Sequence, residues 1–339
     1  MKILYGIQGT GNGHISRSRI LAKELKKQGI TVDFLLSGRA KEKFFDMEVF
    51  GQFQHRKGLT FITENGEVNY LKTCFKNNIF KFIADIIRLD LSNYDLIITD
   101  FEPVTAWAAK LKGVPVIGIG HQYAFGAKTP KSHDSWLTHN IMKYFAPATN
   151  RIGLHWYPYD EYVFPPIVDV ALTRRENKQH ILVYLPFENQ KYITQLLQQF
   201  PNRQFIQYSP DLKNTKAGNI TLCKTSHTQF KNDLIHADGV ICNAGFELIS
   251  ECIHIGIPVL TKALNGQMEQ HSNALALKQL GYADVINSFS FERIEYWLAH
   301  KKSANIPPLP NVAAVIATLI ANKDLEQINH HPLKLWPHS

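Results

Sequence analysis

Residues 237–260 read ADGVICNAGFELISECIHIGIPVL, and they decide the fold. Asp238–Cys242 is a short apolar run that ends in the small-residue turn Asn243-Ala244-Gly245. Apolar residues then recur at helical spacing over Phe246–Ile253, and a second apolar run follows at Pro258–Thr261. Strand, turn, helix and strand in that order form the unit of a doubly wound parallel α/β sheet. Outward from this unit, Ile181–Leu185 and Phe205–Tyr208 read as further strands, and Lys191–Gln199 and Gln270–Leu280 as helices.

The first half repeats the pattern. The apolar run Lys2–Ile7 leads into Gly9-Thr10-Gly11-Asn12-Gly13-His14, then a helix over Ile15–Lys27, a stop at Gly29 and a strand over Val32–Leu36. Leu59–Ile62, Leu96–Thr99, Val114–Ile119 and Arg151–Trp156 read as strands, and Leu71–Leu89 and Pro103–Leu111 as helices. The spacing predicts a first α/β domain over 1–157, a Pro-containing linker over 158–178, a second α/β domain over 179–310, and a C-terminal segment over 311–339. A last helix reads over Val312–Ala321 in that segment. Two such domains hold a ligand between them, at strand C-termini and beside helix N-termini.

Composition narrows the classes. With 45% hydrophobic and 19% charged residues among 339, the chain has ample core material and is not disordered. No apolar run reaches the ~18 residues of a membrane span, and the N-terminal run is too short for a signal peptide, so the expected location is cytoplasmic. Cys74, Cys223, Cys242 and Cys252 form no CxxC pair or zinc spacing and read as reduced, buried thiols. The net charge of +8 is one-sided: residues 1–151 hold 21 Lys and Arg against 13 Asp and Glu, and the remainder holds 16 of each. An anionic partner is therefore expected on the first half. No RNA-recognition motif, zinc knuckle or Arg-rich tract is present, which argues against nucleic acid.

Two loops carry the chemistry. In GTGNGH the glycines Gly9, Gly11 and Gly13 let backbone approach a ligand, and the helix behind them favours negative charge. The spacing is GxGxGH, which departs from the dinucleotide fingerprint GxGxxG. His14, at the loop-to-helix junction, is a candidate general base if a carboxylate orients it. Asp100, at the end of a neighbouring strand, is the candidate. Glu102 competes for that role, His121 ends another strand in the same way, and simple helix capping accounts equally for either residue of the pair. In the second half, Asn243-Ala244-Gly245 opens another helix, Glu251 lies two turns in where it could reach a ribose, and Gln267, Glu269 and Gln270 offer partners for sugar hydroxyls.

These residues carry a family likeness. ADGVICNAGFELISECIHIGIPVL, followed by EQHSNALALKQLG, resembles the donor-binding half of GT-B glycosyltransferases, and especially the N-acetylglucosaminyltransferases of lipid-linked peptidoglycan precursor synthesis. GTGNGH resembles that family's first Gly-rich loop. The likeness covers most of 180–290 and, more thinly, 1–30 and 94–125. It implies two Rossmann-like domains facing across a cleft, acceptor bound by the first and nucleotide-sugar donor by the second, with a last helix, here Val312–Ala321, that can cross back to the first domain. By position it implies that Gly11 and Gly13 line the donor site. Asn243, Ala244, Gly245 and Phe246 would cradle a diphosphate, and Glu251 would hold ribose hydroxyls. Glu269 and Gln270, with Gln267 beside them, would contact the sugar, and the stretch around Thr225 and Ser226 would frame the base. It further implies His14 as base with Asp100 orienting it, an inverting displacement, no metal, and no cofactor beyond the nucleotide-sugar, most simply a UDP-sugar. The sequence departs from the family at Ala244 and Leu248, and at Leu185-Pro186-Phe187-Glu188-Asn189-Gln190, where a Gly/Ser loop is usual. Pro186 donates no amide, and Glu188 is expected to repel a diphosphate.

The charge then points to the acceptor. Leu71–Leu89 places Phe75, Ile79, Phe82, Ile83 and Ile86 on one side with Lys72, Lys76, Lys81 and Arg88 nearby, which suits an anionic membrane surface at ~1 kcal/mol per basic residue as well as it suits a core helix. A lipid-linked acceptor and peripheral attachment to the inner face of the membrane are the resulting expectation. Two other readings share the architecture: a nucleotide-sugar 2-epimerase, which would turn over UDP-GlcNAc without any acceptor, and an inactive binding scaffold, which the 186–190 loop keeps open.

Overall fold

The computed structural model describes residues 1–60, 63–64, 67–68, 78–132, 140, 142–324 and 332–336. The N-terminal apolar run forms β1 (Lys2–Gln8), buried from Ile3 onward, as expected of a strand covered on both faces by helices. It turns into α1 (Asn12–Lys27) and continues through β2 (Thr31–Ser37), β3 (Gln54–His55) and a separate antiparallel pair, β4 (Thr63–Glu64) and β5 (Glu67–Val68). After α2 (Ile79–Arg88) come β6 (Leu96–Asp100), α3 (Pro103–Lys112), β7 (Val116–Gly120), β8 (Asn150–Leu154) and β9 (Val163–Phe164). One seven-stranded parallel sheet results, in the order β3-β2-β1-β6-β7-β8-β9.

The second half holds a comparable series: β10 (His180–Tyr184), α4 (Gln190–Leu197), β11 (Gln204–Ser209), β12 (Thr215–Ala217), β13 (Ile220–Lys224), α5 (His227–Ile235), β14 (Gly239–Asn243), α6 (Phe246–Ile255), β15 (Val259–Lys262), α7 (Met268–Leu280) and β16 (Asp284–Val285). Their sheet runs β12-β13-β11-β10-β14-β15-β16, parallel except for β12. Two helices close the chain, α8 (Phe291–His300) and α9 (Val312–Ala321).

Several elements differ from the sequence reading. The third strand of the first sheet is Gln54–His55; Leu59 and Thr60 lie outside any strand, and 61–62 are outside the described residues. Of the helix expected over Leu71–Leu89, Ile79–Arg88 is described and 71–77 are not, so Lys72, Phe75 and Lys76, like Cys74, lie outside the described residues. Val163–Phe164 falls inside the stretch read as linker and pairs with β8. The strand β13 and the helices α5 and α8 were not foreseen: β13 is half exposed, and α5 buries only Leu234. Cys223, Cys242 and Cys252 are buried free thiols.

The halves are docked against each other. One apolar cluster runs from Ile3, Tyr5 and Ile7 through Trp156 and Phe246 to Ile253 and Leu277. Trp156 Nε1 donates to Ser250 Oγ at 2.9 Å, and Phe246 stacks on His121 with ring centroids 4.0 Å apart. Helix α9 lies against α1, where Gln28 Nε2 donates to Thr318 Oγ1 at 3.2 Å. Among the described residues no helix is long and apolar enough to cross a membrane.

Candidate active site

The first sheet reverses its strand order between β1 and β6, so the C-terminal ends of those two strands open onto one crevice. Strand β1 delivers Gly9-Thr10-Gly11 and the start of α1; β6 delivers Asp100. His14 Nδ1 lies 2.7 Å from Asp100 Oδ1. Asp100 is wholly buried and also accepts from Arg17 Nε at 2.7 Å, Arg17 Nη2 at 2.5 Å and Ser18 Oγ at 3.2 Å. Burial pushes the Asp100 carboxyl up, but Arg17 and His14 more than offset it and hold it below the usual carboxylate range.

The next residue sets the geometry. Phe101 has φ of +51°, a left-handed backbone that costs a non-glycine residue of order 1–3 kcal/mol. Its ring is held by stacking on Phe145 at 4.9 Å and by an edge contact with Tyr123 at 5.8 Å. Beyond this turn Glu102 serves a different purpose. Its carboxylate accepts from the amides of Val104 and Thr105 at 2.9 and 2.7 Å and from Ser37 Oγ at 2.6 Å, so it caps α3. Of the two acids, Asp100 is the one that meets His14.

The second sheet reverses between β10 and β14, and the turn after β14 faces the first domain. Among the described residues, a Cβ added at Gly11 or at Gly245 would meet no atom within 4 Å, and no side chain caps α1 or α6. Both helix N-termini therefore have open space above their N-cap glycines, and an anion is favoured at such an end. The two domains also touch here. Glu247, in the first turn of α6, accepts from Arg17 Nη1 at 2.5 Å. A Cβ at Gly13 would come within 2.9 Å of Glu247 Cγ, so the close approach needs glycine. Burial pushes the Glu247 carboxyl up and Arg17 draws it back, leaving it at about 7.

The remaining candidates fall into place around this contact. Glu251 is buried and ion-paired with Lys231 of α5. Asn243 Nδ2 donates to Glu188 Oε1 at 3.2 Å, and Lys262 Nζ lies 2.8 Å from the same oxygen. The charge of Glu188, expected to stand against a diphosphate, is thus met by Lys262. Glu269 accepts from Gln122 Nε2 at 2.9 Å, across the domain boundary. Gln270 is buried and spends its carbonyl oxygen on the Leu264 amide at 3.0 Å, so it braces the 264–270 loop. Gln267 is the N-cap of α7 without a side-chain cap bond. Ser226 caps α5, and Thr225 Oγ1 is buried without a partner among the described residues. Ala244 and Phe246 are buried, the latter against His121 and Trp156. His121 is itself a wall residue: its Nε2 meets Asn273 Oδ1 at 2.6 Å while Asn273 Nδ2 donates to the Ala244 carbonyl at 2.9 Å. Among the described residues no group of three His, Cys, Asp or Glu side chains is placed to hold a metal ion.

Four residues here escaped the sequence reading. Arg17 lies three positions after His14 on one helix face, a spacing that was visible. Glu247 and Lys231 gave no signal, since each looks like an ordinary helix charge. Arg39 is the fourth. Its Nη1 donates to Asn12 Oδ1 at 3.0 Å, its guanidinium sits 4.5 Å above the Phe44 ring, and its buried Nε has no partner among the described residues. Burial, helped by the positive charge of Arg19, pushes the guanidinium down to about 10.

The comparisons agree with this architecture. No curated protein matches the chain in sequence. Among solved structures it is similar to MurG of Acinetobacter baumannii, at 15% identity over 95% of this chain and 100% of that one, with a TM-score of 0.55. It is similar to UGT89C1 of Arabidopsis thaliana, solved in complex with UDP, at 11% identity over 98% and 99% of the two chains, with a TM-score of 0.58. A Streptomyces glycosyltransferase, SsfS6, solved with thymidine diphosphate, aligns at 12% identity over 95% and 99%, with a TM-score of 0.56. These likenesses give the fold, two Rossmann-like domains of the GT-B type. The sequence profile of glycosyl transferase family 1 matches residues 1–301, nearly the whole of both domains, and the chain that brings His14 and Asp100 to the cleft between them therefore belongs to that family of glycosyltransferases.

Proposed function

We propose that the protein transfers a sugar from a nucleotide-sugar, a UDP-sugar in the simplest case, to an acceptor hydroxyl, with inversion and without a metal ion. The observation that carries the reading is His14 Nδ1 at 2.7 Å from Asp100 Oδ1, at the meeting point of two uncapped helix N-termini. With Nδ1–H donated to Asp100 in a hydrogen bond, Nε2 of the neutral imidazole is left to accept the acceptor's hydroxyl proton. The hydroxyl oxygen then bonds to the anomeric carbon as the bond to the nucleotide diphosphate breaks. A single displacement of this kind inverts the centre. The first-turn amides of α6 would stabilise the departing diphosphate, as preorganised dipoles do where negative charge develops. Complexes of similar structures with UDP and thymidine diphosphate support a donor of this class.

Calorimetric titration with UDP, and with GDP, TDP and ADP as controls, tests the donor site. Selective UDP binding is expected; no binding of any nucleotide would leave a scaffold without a donor.

The acceptor is proposed to be lipid-linked, reached at the inner membrane surface. Helix α2 exposes Ile79, Phe80, Ile83 and Ile87, with Lys81 and Arg88 among them, and the end of the neighbouring α3 exposes Leu111 beside Lys110 and Lys112. An exposed apolar patch rimmed with lysine and arginine suits an anionic interface. Co-sedimentation with vesicles containing anionic lipid, strong at low salt and weaker at high salt, is the expected result; protein left in the supernatant at low salt would rule the surface out.

A further inference from the structure

Glu247 belongs to the second domain, yet it is bonded into the network of a base that belongs to the first. The charged groups that meet there are His14 and Arg17 of α1, Asp100 of β6 and Glu247 of α6. Around them, Glu251 of α6 is tied to Lys231 of α5, Glu269 of α7 is tied to Gln122, and Ser18 and Tyr5 are neutral hydroxyls. Arg17 and Asp100 cancel each other. If they stood alone, a proton accepted by His14 would leave a net positive charge in a nearly closed site. Above about pH 7, where Glu247 is ionised, the group carries one negative charge before the proton arrives and none afterwards. A buried site favours the second arrangement.

Geometry adds a second reason. Arg17 Nη2 lies 2.7 Å from His14 Nδ1, the same nitrogen that faces Asp100. An N–H donated from Arg17 to Nδ1 would place the histidine proton on Nε2, where it blocks the base. Glu247 holds the far side of the guanidinium at Nη1.

We propose that Glu247 is a positioning residue for His14: from across the cleft it takes up the charge of Arg17, leaving Asp100 to fix the histidine tautomer and to stabilise the proton that His14 receives. The base is then complete only when the two domains are docked. This rests on the proposed role of His14 as the acceptor's base.

The test is nuclear magnetic resonance of protein labelled with 15N-histidine, with His14 assigned by its loss in His14→Gln. In the wild type the His14 ring nitrogens are expected to show the proton on Nδ1 and a bare Nε2. In Glu247→Gln a substantial fraction of the molecules should carry the proton on Nε2 instead, because Arg17 is then free to donate to Nδ1. A Glu247 that only holds the domains together would change the melting temperature and leave the His14 tautomer as it was, and that outcome overturns the proposal. Should Glu247→Gln not fold, the reciprocal measurement decides: the 13C carboxyl signal of Glu247 must titrate differently in wild type and in His14→Gln, since coupling acts equally in both directions. Identical titrations there reject it. UDP calorimetry on the same samples judges the donor site separately, so its failure and that of the Glu247 role are told apart.

Discussion

The two strand-to-helix turns that face each other across the cleft are built alike and equipped differently. Each follows a central strand at the switch point of its sheet, each ends in a glycine N-cap, and each leaves open space above that glycine. The turn after β1 gathers its chemistry from its own domain: His14, Arg17 and Ser18 from α1, Asp100 from β6. The turn after β14 has little polar equipment of its own. Asn243 is committed to Glu188, Ala244 is apolar and buried, and Phe246 is driven into the first domain. Its one strongly placed charge, Glu247, is spent on Arg17. One turn can thus hold a proton-transfer group, while the other offers mainly backbone amides. That division suits a reaction in which one side activates a nucleophile and the other carries away an anion.

The largest effect should come from breaking the first turn. Asp100→Ala would leave Arg17 buried with one carboxylate in place of two, and losing one partner of a buried pair costs about 3–5 kcal/mol. Thermal or urea denaturation should show that loss; a stability within 1 kcal/mol of wild type would mean that Arg17 is not held as described. His14→Ala truncates a side chain that is only partly buried, so folding should survive. Turnover should fall at least ~10²-fold, the usual share of a general base, with UDP affinity unchanged. Full activity in that variant would take His14 out of the reaction.

How far the sequence revealed this asymmetry follows the kind of signal each feature leaves. Buried parallel strands such as Leu96–Asp100 and Gly239–Asn243 are continuous apolar runs and were legible at once. The short, half-exposed strand Ile220–Lys224 and the polar helix His227–Ile235 lack that signal, because packing on one side only leaves the pattern mixed. His14 and Asp100 were legible as the ends of predicted elements. The choice of Asp100 over Glu102 depends on the left-handed turn at Phe101, which no local preference announces for a phenylalanine. Glu247 and Lys231 were invisible for a deeper reason: each finds its partner far along the chain, at 230 and 20 residues' separation, and neither differs locally from a solvated helix charge.

A pH experiment sharpens the comparison from the side of the second turn. The Glu247 carboxyl sits at about 7 in the folded protein, against 4.5 ordinarily, so the folded state binds its proton more tightly than the unfolded chain does. Its contribution therefore favours folding below about pH 4.5 and is lost as pH rises through 7. Asp100, held low, acts in the opposite sense, but only at pH values near and below its ordinary 3.8. Between pH 5 and 7 the stability of wild type relative to Glu247→Gln should consequently fall, by about 2 kcal/mol if each pH unit contributes up to 1.4. Taking the difference between the two proteins cancels groups on which Glu247 does not act, such as the buried histidines His121 and His155. A flat difference across that range would show that Glu247 is ionised throughout and that Arg17 outweighs its burial.

The smallest effect concerns the second turn alone. Glu251 points one carboxylate oxygen at Lys231, so a nucleotide ribose, were it held by Glu251, would share it with that lysine or displace it. Sharing is chemically available, because a carboxylate has two oxygens and about four acceptor positions. If Glu251 accepts from ribose hydroxyls, wild type should prefer UDP to its 2′-deoxy analogue, and Glu251→Ala should bind UDP about tenfold more weakly while losing most of that preference. A lysine freed by the substitution works against this, since an unpaired Lys231 attracts the diphosphate and recovers part of the affinity. For that reason the preference ratio between UDP and deoxy-UDP is the sharper quantity than the dissociation constant itself. Lys231 reads charge on both nucleotides equally, whereas only the ribose contact distinguishes them. A variant that keeps the wild-type ratio would free Glu251 from the ribose and leave its pairing with Lys231 as its whole role.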